Sequence, residues 1–237
     1  MNEPKDINAV PEDAWHLLSP RLTDVRREKM LDVAKNRTEH VRLVLQDIHD
    51  PHNIAACYRS AEAMGVCHVD VVNTFQAFKK PSTVAKGSAN WLEINRFESI
   101  KDYVSYIKKL GFVIAAGYPS QDNVTLDQIP IEKPIAVVFG NEHQGVHADW
   151  LEHIDIPFTI PMFGMVESYN ISVSAALSMF SLTSRARKHL GSQFTVNDIK
   201  QNKLLSKWVM RHSRSAYGEL EQLRKRNFQD GSGPRST

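Results

Sequence analysis

Four runs constrain the fold more than anything else in the sequence: "VRLVLQDI" (41–48), "CHVDVV" (67–72), "FVIAAGY" (112–118) and "IAVVFG" (135–140). They are rich in β-branched and small apolar residues. Within them "IAVVF" and "VIAA" show no polar alternation, as expected of strands covered on both faces. A fifth, shorter run, "FTIPM" (158–162), follows. Helical patterns lie between the runs, notably Ile54–Met64 and Ser99–Leu110. Strands alternating with helices predict an α/β domain with a mainly parallel sheet. At 237 residues and 42% hydrophobic, the chain can bury one large core, or one core plus appendages.

The two ends break this rhythm. Residues 1–20 read as a loose, Pro-containing lead-in. From Arg21, "RLTDVRREKMLDVAKNR" has helical spacing, with Leu22, Val25, Met30 and Val33 apolar. From about Ser192 a helical appendage is expected, closed by a low-complexity "DGSGPRST" expected to be disordered. The organisation predicted is therefore a helical extension over 1–40, an α/β domain over 41–190 and a basic helical extension over 191–237.

Composition excludes several classes. No run approaches the roughly 18 apolar residues of a membrane span. The start, "MNEPKDINAVPEDAWHLL", lacks the charged beginning and apolar centre of a signal peptide. Cys57 and Cys67 make neither a disulfide framework nor a zinc set. His49, His52, His143 and His147 lie on different loops with no H-E-x-x-H, so no metal is expected. A cytoplasmic, reduced protein that meets no membrane is the expectation.

Charge is uneven along the chain. Thr183–Arg226 carries 11 Lys and Arg against three acidic residues, whereas residues 41–182 carry ten against fifteen. A solvated helix face is the ordinary origin of such a run. Here Phe194, Trp208, Tyr217 and Phe228 interleave with the cations, a mixture suited to polyanions, where cations displace counterions and aromatics stack bases.

Three stretches carry chemistry. "HDPHNIAACYRSAEAMGV" opens a helix after the first strand, with Asn53 a good N-cap. Arg59 is either a surface cation or, near the carboxyl end of a strand, a holder of anions. "VVFGNEHQGV" ends a buried strand in a Gly140–Gly145 loop with Glu142 between the glycines. It lacks the Gly-Lys-Ser/Thr of a Walker A loop, and the chain's G-x-G, Gly231-Ser-Gly233, is not in a Rossmann context. A plain strand-to-helix turn is the competing explanation. The third stretch, "IPMFGMVESYNISVSAALSMF", places Pro161, Gly164, Ser168 and Asn170 at the mouth of the most hydrophobic helix. A loop there strands backbone donors and acceptors unless it holds something. No G-x-S-x-G elbow surrounds Ser168, so a serine nucleophile is disfavoured.

Taken in order, these stretches resemble the three signature motifs of the SPOUT superfamily of S-adenosylmethionine-dependent RNA methyltransferases. Within it they are most similar to the tRNA guanosine-2′-O-methyltransferase (TrmH) family, whose bacterial members modify guanosine 18 in the D-loop. "HDPHN", "KGSANWLEI" (86–94) and "IPMFGMVESYN" carry that choice, and the likeness spans roughly residues 21–190. The resemblance implies a C-terminal deep trefoil knot, whose polar turn wraps the methyl donor. It implies donor contacts around Gly140, Ile160, Met162 and Tyr169, with Gly117 where relatives often carry a hydroxyl residue such as Thr. It implies that Asn170 caps the last helix and faces the active site, that Ser168 stands close to the acceptor, and that Arg59, from the second subunit or the same one, carries the chemistry. Arg59 is then either the base or a clamp on the adjoining phosphate while Asn53 and Ser168 orient the ribose, with Glu142 the runner-up for the base. A homodimer, packed along the small residues of Ser172–Ala176, and a tRNA substrate gripped by the basic extension are also implied. Ribosomal RNA, another tRNA position, or an inactive RNA-binding protein are the alternatives.

Overall fold

The unalternating apolar runs become strands buried on both faces. In the computed structural model, which describes residues 10–74, 86–118, 123–142, 144–212 and 215–229, two compact units form. One is Arg37–Thr195; the other joins Met1–Asn36 with Val196–Thr237. His143, the closing "DGSGPRST" and the start of the lead-in lie outside the described residues.

Arg37–Thr195 holds seven parallel strands, β1 (Val41–Gln46), β2 (His68–Val72), β3 (Glu93–Phe97), β4 (Val113–Gly117), β5 (Val124–Thr125), β6 (Ile135–Phe139) and β7 (Ile156–Thr159). Their order is β3-β2-β1-β6-β4-β7-β5. Every residue of β1, β2 and β6 is buried. Leu43 of β1 pairs with Val69 on one side and Val137 on the other, so apolar side chains align across the sheet centre. Two strands escape the sequence reading. β3, "EINRF", is an edge whose Glu93, Asn95 and Arg96 face partly into water, so it lacks an apolar run. β5 has two residues, too few for any periodicity. The expected strand 158–162 instead runs Ile156–Thr159, because from Ile160 the chain leaves the sheet.

Four helices flank the sheet: α3 (Pro51–Ala63), α4 (Lys86–Ala89), α5 (Ile100–Lys109) and α6 (Ile171–Leu190). α6 packs on α3 and against β1 and β6. Their shared core joins Leu43, Leu45 and Val137 to Cys57, Ala61, Met179 and Leu182. Alternate strand residues such as Val44 and Val138 turn to the other face, to Ile107 of α5 and to Trp150. Asp50, not Asn53, caps α3: its carboxylate accepts from the His52 amide at 2.8 Å, and Pro51 occupies the first turn. Asn53 is thereby inside the helix with its amide free for other work.

The second unit contains α1 (Ala14–Leu18), α2 (Asp24–Lys35), α7 (Asp198–His212) and α8 (Ala216–Gln229). The lead-in is not loose over its described part. Ala14 and Leu18 pack with Val209, Met210, Ala216 and Leu220, and Ser206 Oγ donates to the Glu12 carbonyl at 3.2 Å. Arg224 pairs with Asp13, a hydrogen bond that holds the Asp13 carboxyl below its usual range. The base-stacking expectation is corrected for two aromatics. Trp208 is buried in this unit and Phe194 in the other, where Arg187 lies over its ring at 5.0 Å. Both are core; Tyr217 is exposed.

Burial of α3's inner face has a pH consequence. Cys57 is pushed up to about 12 by burial, with the Glu142 carboxylate adding to it, and Tyr58 is pushed up to about 12 by burial as well. Unfolded, the two groups ionise near 9.0 and 10.0. Stability is therefore fully present below pH 9 and is lost as pH rises toward 12, by up to about 1.4 kcal/mol per group per pH unit. Denaturant unfolding at pH 7.5, 9 and 10.5 should show this fall, and Cys57→Ser with Tyr58→Phe should flatten it.

Candidate functional site

A cleft of about 340 Å³ opens at the carboxyl ends of the adjacent strands β6, β4 and β7, the side where open parallel sheets bind ligands. Its wall comes from three segments: Gly117 and Tyr118 after β4, Phe139–Glu142 with Gly145 after β6, and residues from Thr159 to Ser174 after β7. Gly117, Gly140, Ile160, Met162 and Tyr169 all line it, as do Glu142, Ser168 and Asn170.

Gly140 shows why the β6 turn needs glycine. A Cβ there would stand 2.0 Å from the Gly145 carbonyl oxygen and 2.4 Å from the Val146 nitrogen. The loop returns on itself to make that approach, with Gly145 at φ 69°. Asn141 locks the return. Its carbonyl accepts from Gly145 N–H at 2.8 Å and its Oδ1 from Gln144 N–H at 3.2 Å. Gly117 is closed off differently: a Cβ would lie 2.9 Å from Phe139 and 3.0 Å from Phe158, rings that meet edge to face at 6.2 Å. Aromatic edges fill the space a hydroxyl side chain would occupy.

A hydrogen-bond chain unites the three motifs. Asn53 Nδ2 donates to Glu142 Oε1 at 3.0 Å, and Asn170 Nδ2 donates to Asn53 Oδ1 at 3.1 Å. Asn170 Oδ1 in turn accepts from the Ser172 amide at 2.9 Å, capping α6. The helix N-terminus fixes which way Asn170 points, and Glu142, an acceptor only, fixes Asn53. Tyr169 donates its hydroxyl to the Pro161 carbonyl at 3.3 Å, bracing the loop.

Arg59 is not part of this cluster. It is exposed on α3. At 3.6 residues per turn, six residues place it about 120° round the helix from Asn53 and roughly 9 Å along it. Beside the cleft lies an apolar surface: Val173, Leu177 and Phe180 recur along α6 with 43%, 39% and 59% exposure. Phe163 and Met165, in the preceding loop, are 98% and 99% exposed. Clustered solvent-facing apolar residues are characteristic of ligand or partner surfaces.

The sequence reading missed a second tier behind the cleft. Gln46 Oε1 accepts from His147 N–H at 2.9 Å, and Asn141 Nδ2 donates to the Asp47 carbonyl at 2.9 Å. The available sign was polar Gln46-Asp47 directly after the apolar Leu43-Val44-Leu45 of β1. Among the described residues no group of three or more His, Cys, Asp or Glu is placed to hold a metal, and no helix is long and apolar enough to cross a membrane.

Comparison with known proteins adds relatives to this geometry. The SpoU rRNA methylase family matches residues 40–180. The tRNA (guanosine(18)-2′-O)-methyltransferase of Borreliella burgdorferi is 30% identical over 81% of this chain and 88% of its own. The 23S rRNA (guanosine-2′-O-)-methyltransferase RlmB of Nitrosomonas europaea is 31% identical over 76% of this chain and 70% of its own. The crystal structure of the A. aeolicus TrmH/SpoU tRNA modifying enzyme superposes with a TM-score of 0.71 at 26% identity, covering 80% of this chain and 97% of that one.

Gly140→Ala should open the β6 turn, since no side chain fits against the Gly145 carbonyl. Hydrogen exchange at the Gly145 amide is expected to accelerate at least about tenfold, the cost of a hydrogen bond worth about 1 kcal/mol plus strain. Exchange in β1 and β2 should be unchanged.

Proposed function

Because the chain belongs to the SpoU rRNA methylase family, we propose that it transfers a methyl group from S-adenosylmethionine to the 2′-oxygen of guanosine 18 in the D-loop of tRNA. The observation that carries this reading is the meeting of Asn53, Glu142 and Asn170, one from each motif, at the edge of a cleft closed by backbone. The likeness to tRNA enzymes over most of their length supports the substrate.

The cleft suits the donor. Its volume is in the range of small-molecule sites. Among the described lining residues the one formal charge is the negative Glu142, compatible with a cationic sulfonium. The Gly140 turn presents backbone instead of side chains. Gly117, Gly140, Ile160, Met162 and Tyr169 would hold the donor, which when bound supplies an electrophilic methyl group. A threaded C-terminal segment is our reading of the fold, a deep trefoil knot in which residues 160–170 wrap the donor; the return of α6 onto β1 and β6 supports it.

The chain's own residues then position the acceptor. A ribose hydroxyl is a poor nucleophile until its oxygen is oriented and its proton has somewhere to go. Asn53 and Asn170 present amides of fixed orientation, Ser168 stands at the same edge, and Glu142 is an acceptor within the chain of bonds. Arg59 clamps the neighbouring phosphate or, desolvated, takes the proton. Its place on another face of α3 favours a homodimer in which one copy's Arg59 serves the partner's cleft, with Val173, Leu177, Phe180, Phe163 and Met165 covered in the contact. The three-part organisation 1–40, 41–190 and 191–237 is retained for function, the basic segment gripping tRNA phosphates in the cytoplasm. Ribosomal RNA is the second reading, favoured by the likeness to the 23S enzyme.

The test is labelled-donor methylation of a tRNA transcript followed by mapping of the blocked ribose. Label at guanosine 18 is expected, and none in a transcript with 2′-deoxyguanosine there. Label entering 23S rRNA and no tRNA would replace the first reading by the second. Arg59→Ala should lower turnover by about 10²–10⁴ while donor affinity holds, and Arg59→Lys should rescue little if a two-pronged contact matters.

Truncating the basic tail would also strip α1 of its packing partners, so charge reversal is the cleaner probe. Lys203, Lys225 and Arg226 are exposed. Changing all three to Glu should weaken tRNA binding and flatten its salt dependence, leaving donor binding intact. Unchanged binding at equal salt would reduce the tail to a solvated helix.

A further inference from the structure

Asp47, the residue that follows β1, adopts a conformation its neighbours do not. It has φ 50°, the one positive value among the described non-glycine residues. Aspartate visits this left-handed region more readily than most residues but still at a cost. It is only 7% exposed, and its carboxylate is fully engaged. Oδ1 accepts from the Thr74 amide at 2.8 Å. Oδ2 accepts from the Thr74 hydroxyl at 2.6 Å and from Gln46 Nε2 at 2.8 Å. Its own amide donates to the Val72 carbonyl at 3.0 Å, continuing the β1–β2 ladder one step past the strand.

The bent backbone delivers the Asp47 carbonyl to Asn141 Nδ2 at 2.9 Å. Asn141 is the residue whose carbonyl and Oδ1 close the Gly140–Gly145 turn. Gln46, held by the same carboxylate, accepts from His147 N–H at the far end of that turn. Both ends of the turn are thus tied to the end of β1. Three residues later Asp50 caps α3, which carries Asn53.

We propose that Asp47 is a positioning residue for the donor site: its carboxylate, clamped by Thr74 and Gln46, holds a left-handed backbone whose carbonyl fixes Asn141 and so the turn that floors the cleft. The proposal rests on the methyltransferase reading for its kinetic consequence but not for its structural one. It predicts a defect in donor affinity rather than in the chemical step, because Asp47 does not line the cleft.

Three variants separate the links. Asp47→Ala loses both the clamp and the tolerance of positive φ. Asp47→Asn keeps the shape and tolerates the conformation, and Asp47→Gly adopts it freely without the clamp. For Asp47→Ala, hydrogen exchange at the Gly145 amide and KM for S-adenosylmethionine should each rise about tenfold, with kcat within about threefold. Gly should restore both to within about threefold of wild type; Asn, whose Nδ2 meets a donor, Gln46 Nε2 or the Thr74 amide, should fall between Gly and Ala. Asp155→Asn is the comparison: that carboxylate accepts from Ile114 N–H at 2.7 Å at the amino ends of the strands, and its loss should lower thermal stability without moving KM.

An Asp47→Ala protein within about twofold of wild type in both readouts would overturn the proposal, as would an equal KM rise in Asp155→Asn. Glycine behaving like alanine would overturn the backbone link. Should Asp47→Ala not fold, Thr74→Val removes one arm of the clamp and should raise both readouts about threefold; no change would count against it. If wild type neither binds nor uses S-adenosylmethionine, the methyltransferase reading fails, and amide exchange alone decides the positioning role.

Discussion

The approach of the Gly145 carbonyl to Gly140 is the constraint on which the rest of the site depends. At 2.0 Å from a would-be Cβ, it excludes every residue but glycine and forces the chain after β6 to double back. A doubled-back turn exposes peptide groups to the cleft, where a longer loop would present side chains. It also carries Glu142 far enough toward α3 for Asn53 to reach it at 3.0 Å. β6 sits between β1 and β4 in the sheet, so one turn touches both the helix that follows β1 and the wall that follows β4. Parallel topology makes this possible, since it gathers the carboxyl ends of all the strands on one edge.

Much of this was legible in the sequence, and what was not has physical reasons. The run "IAVVF" is legible because both faces of its strand are buried and no polar residue interrupts it. The glycines and polar turn residues were legible as anomalies, since each departs from what a plain core element needs. Asn53 was read as a cap because its local surroundings suit one. Nothing nearby reveals that Glu142, 89 residues away, claims its amide. β3 and β5 were hidden, one by its polar edge and the other by its length. Trp208 was read as an exposed aromatic among cations; an amphipathic helix mixes both kinds of residue, and only packing against α1 reveals which face turns inward.

Asp47 belongs to a class of residue that local pattern cannot find. Its neighbours in space, Thr74 and Asn141, come from two other strand ends, and its backbone conformation is visible only in the folded chain. Such residues lie one layer behind a ligand site. They are polar, fully hydrogen-bonded and buried, so each unmet bond would carry the full desolvation cost of its group. That cost is what keeps the layer in one arrangement, and the turn in front of it inherits the same definition.

Electrostatics bears on the proposed second copy. Among the described lining residues the formal charge is Glu142's, and it is negative. A phosphodiester brought to about 4 Å from it would meet a repulsion of about 1 kcal/mol in water and about 4 kcal/mol at a protein surface. Asn53 and Asn170 are neutral and can orient a ribose without offsetting that charge. An RNA substrate therefore needs cations beside the acceptor. Arg59 is exposed but turned about 120° from Asn53 on a rigid helix, so bending its own side chain round is a poor route. In the proposed homodimer, a second copy docked on the apolar stripe of α6, which packs against α3 in one chain, would bring its own α3 near the cleft. On the proposed reading, dimerisation is then less a matter of stability than of charge: each cleft holds its donor with its own residues and accepts a phosphate with its neighbour's.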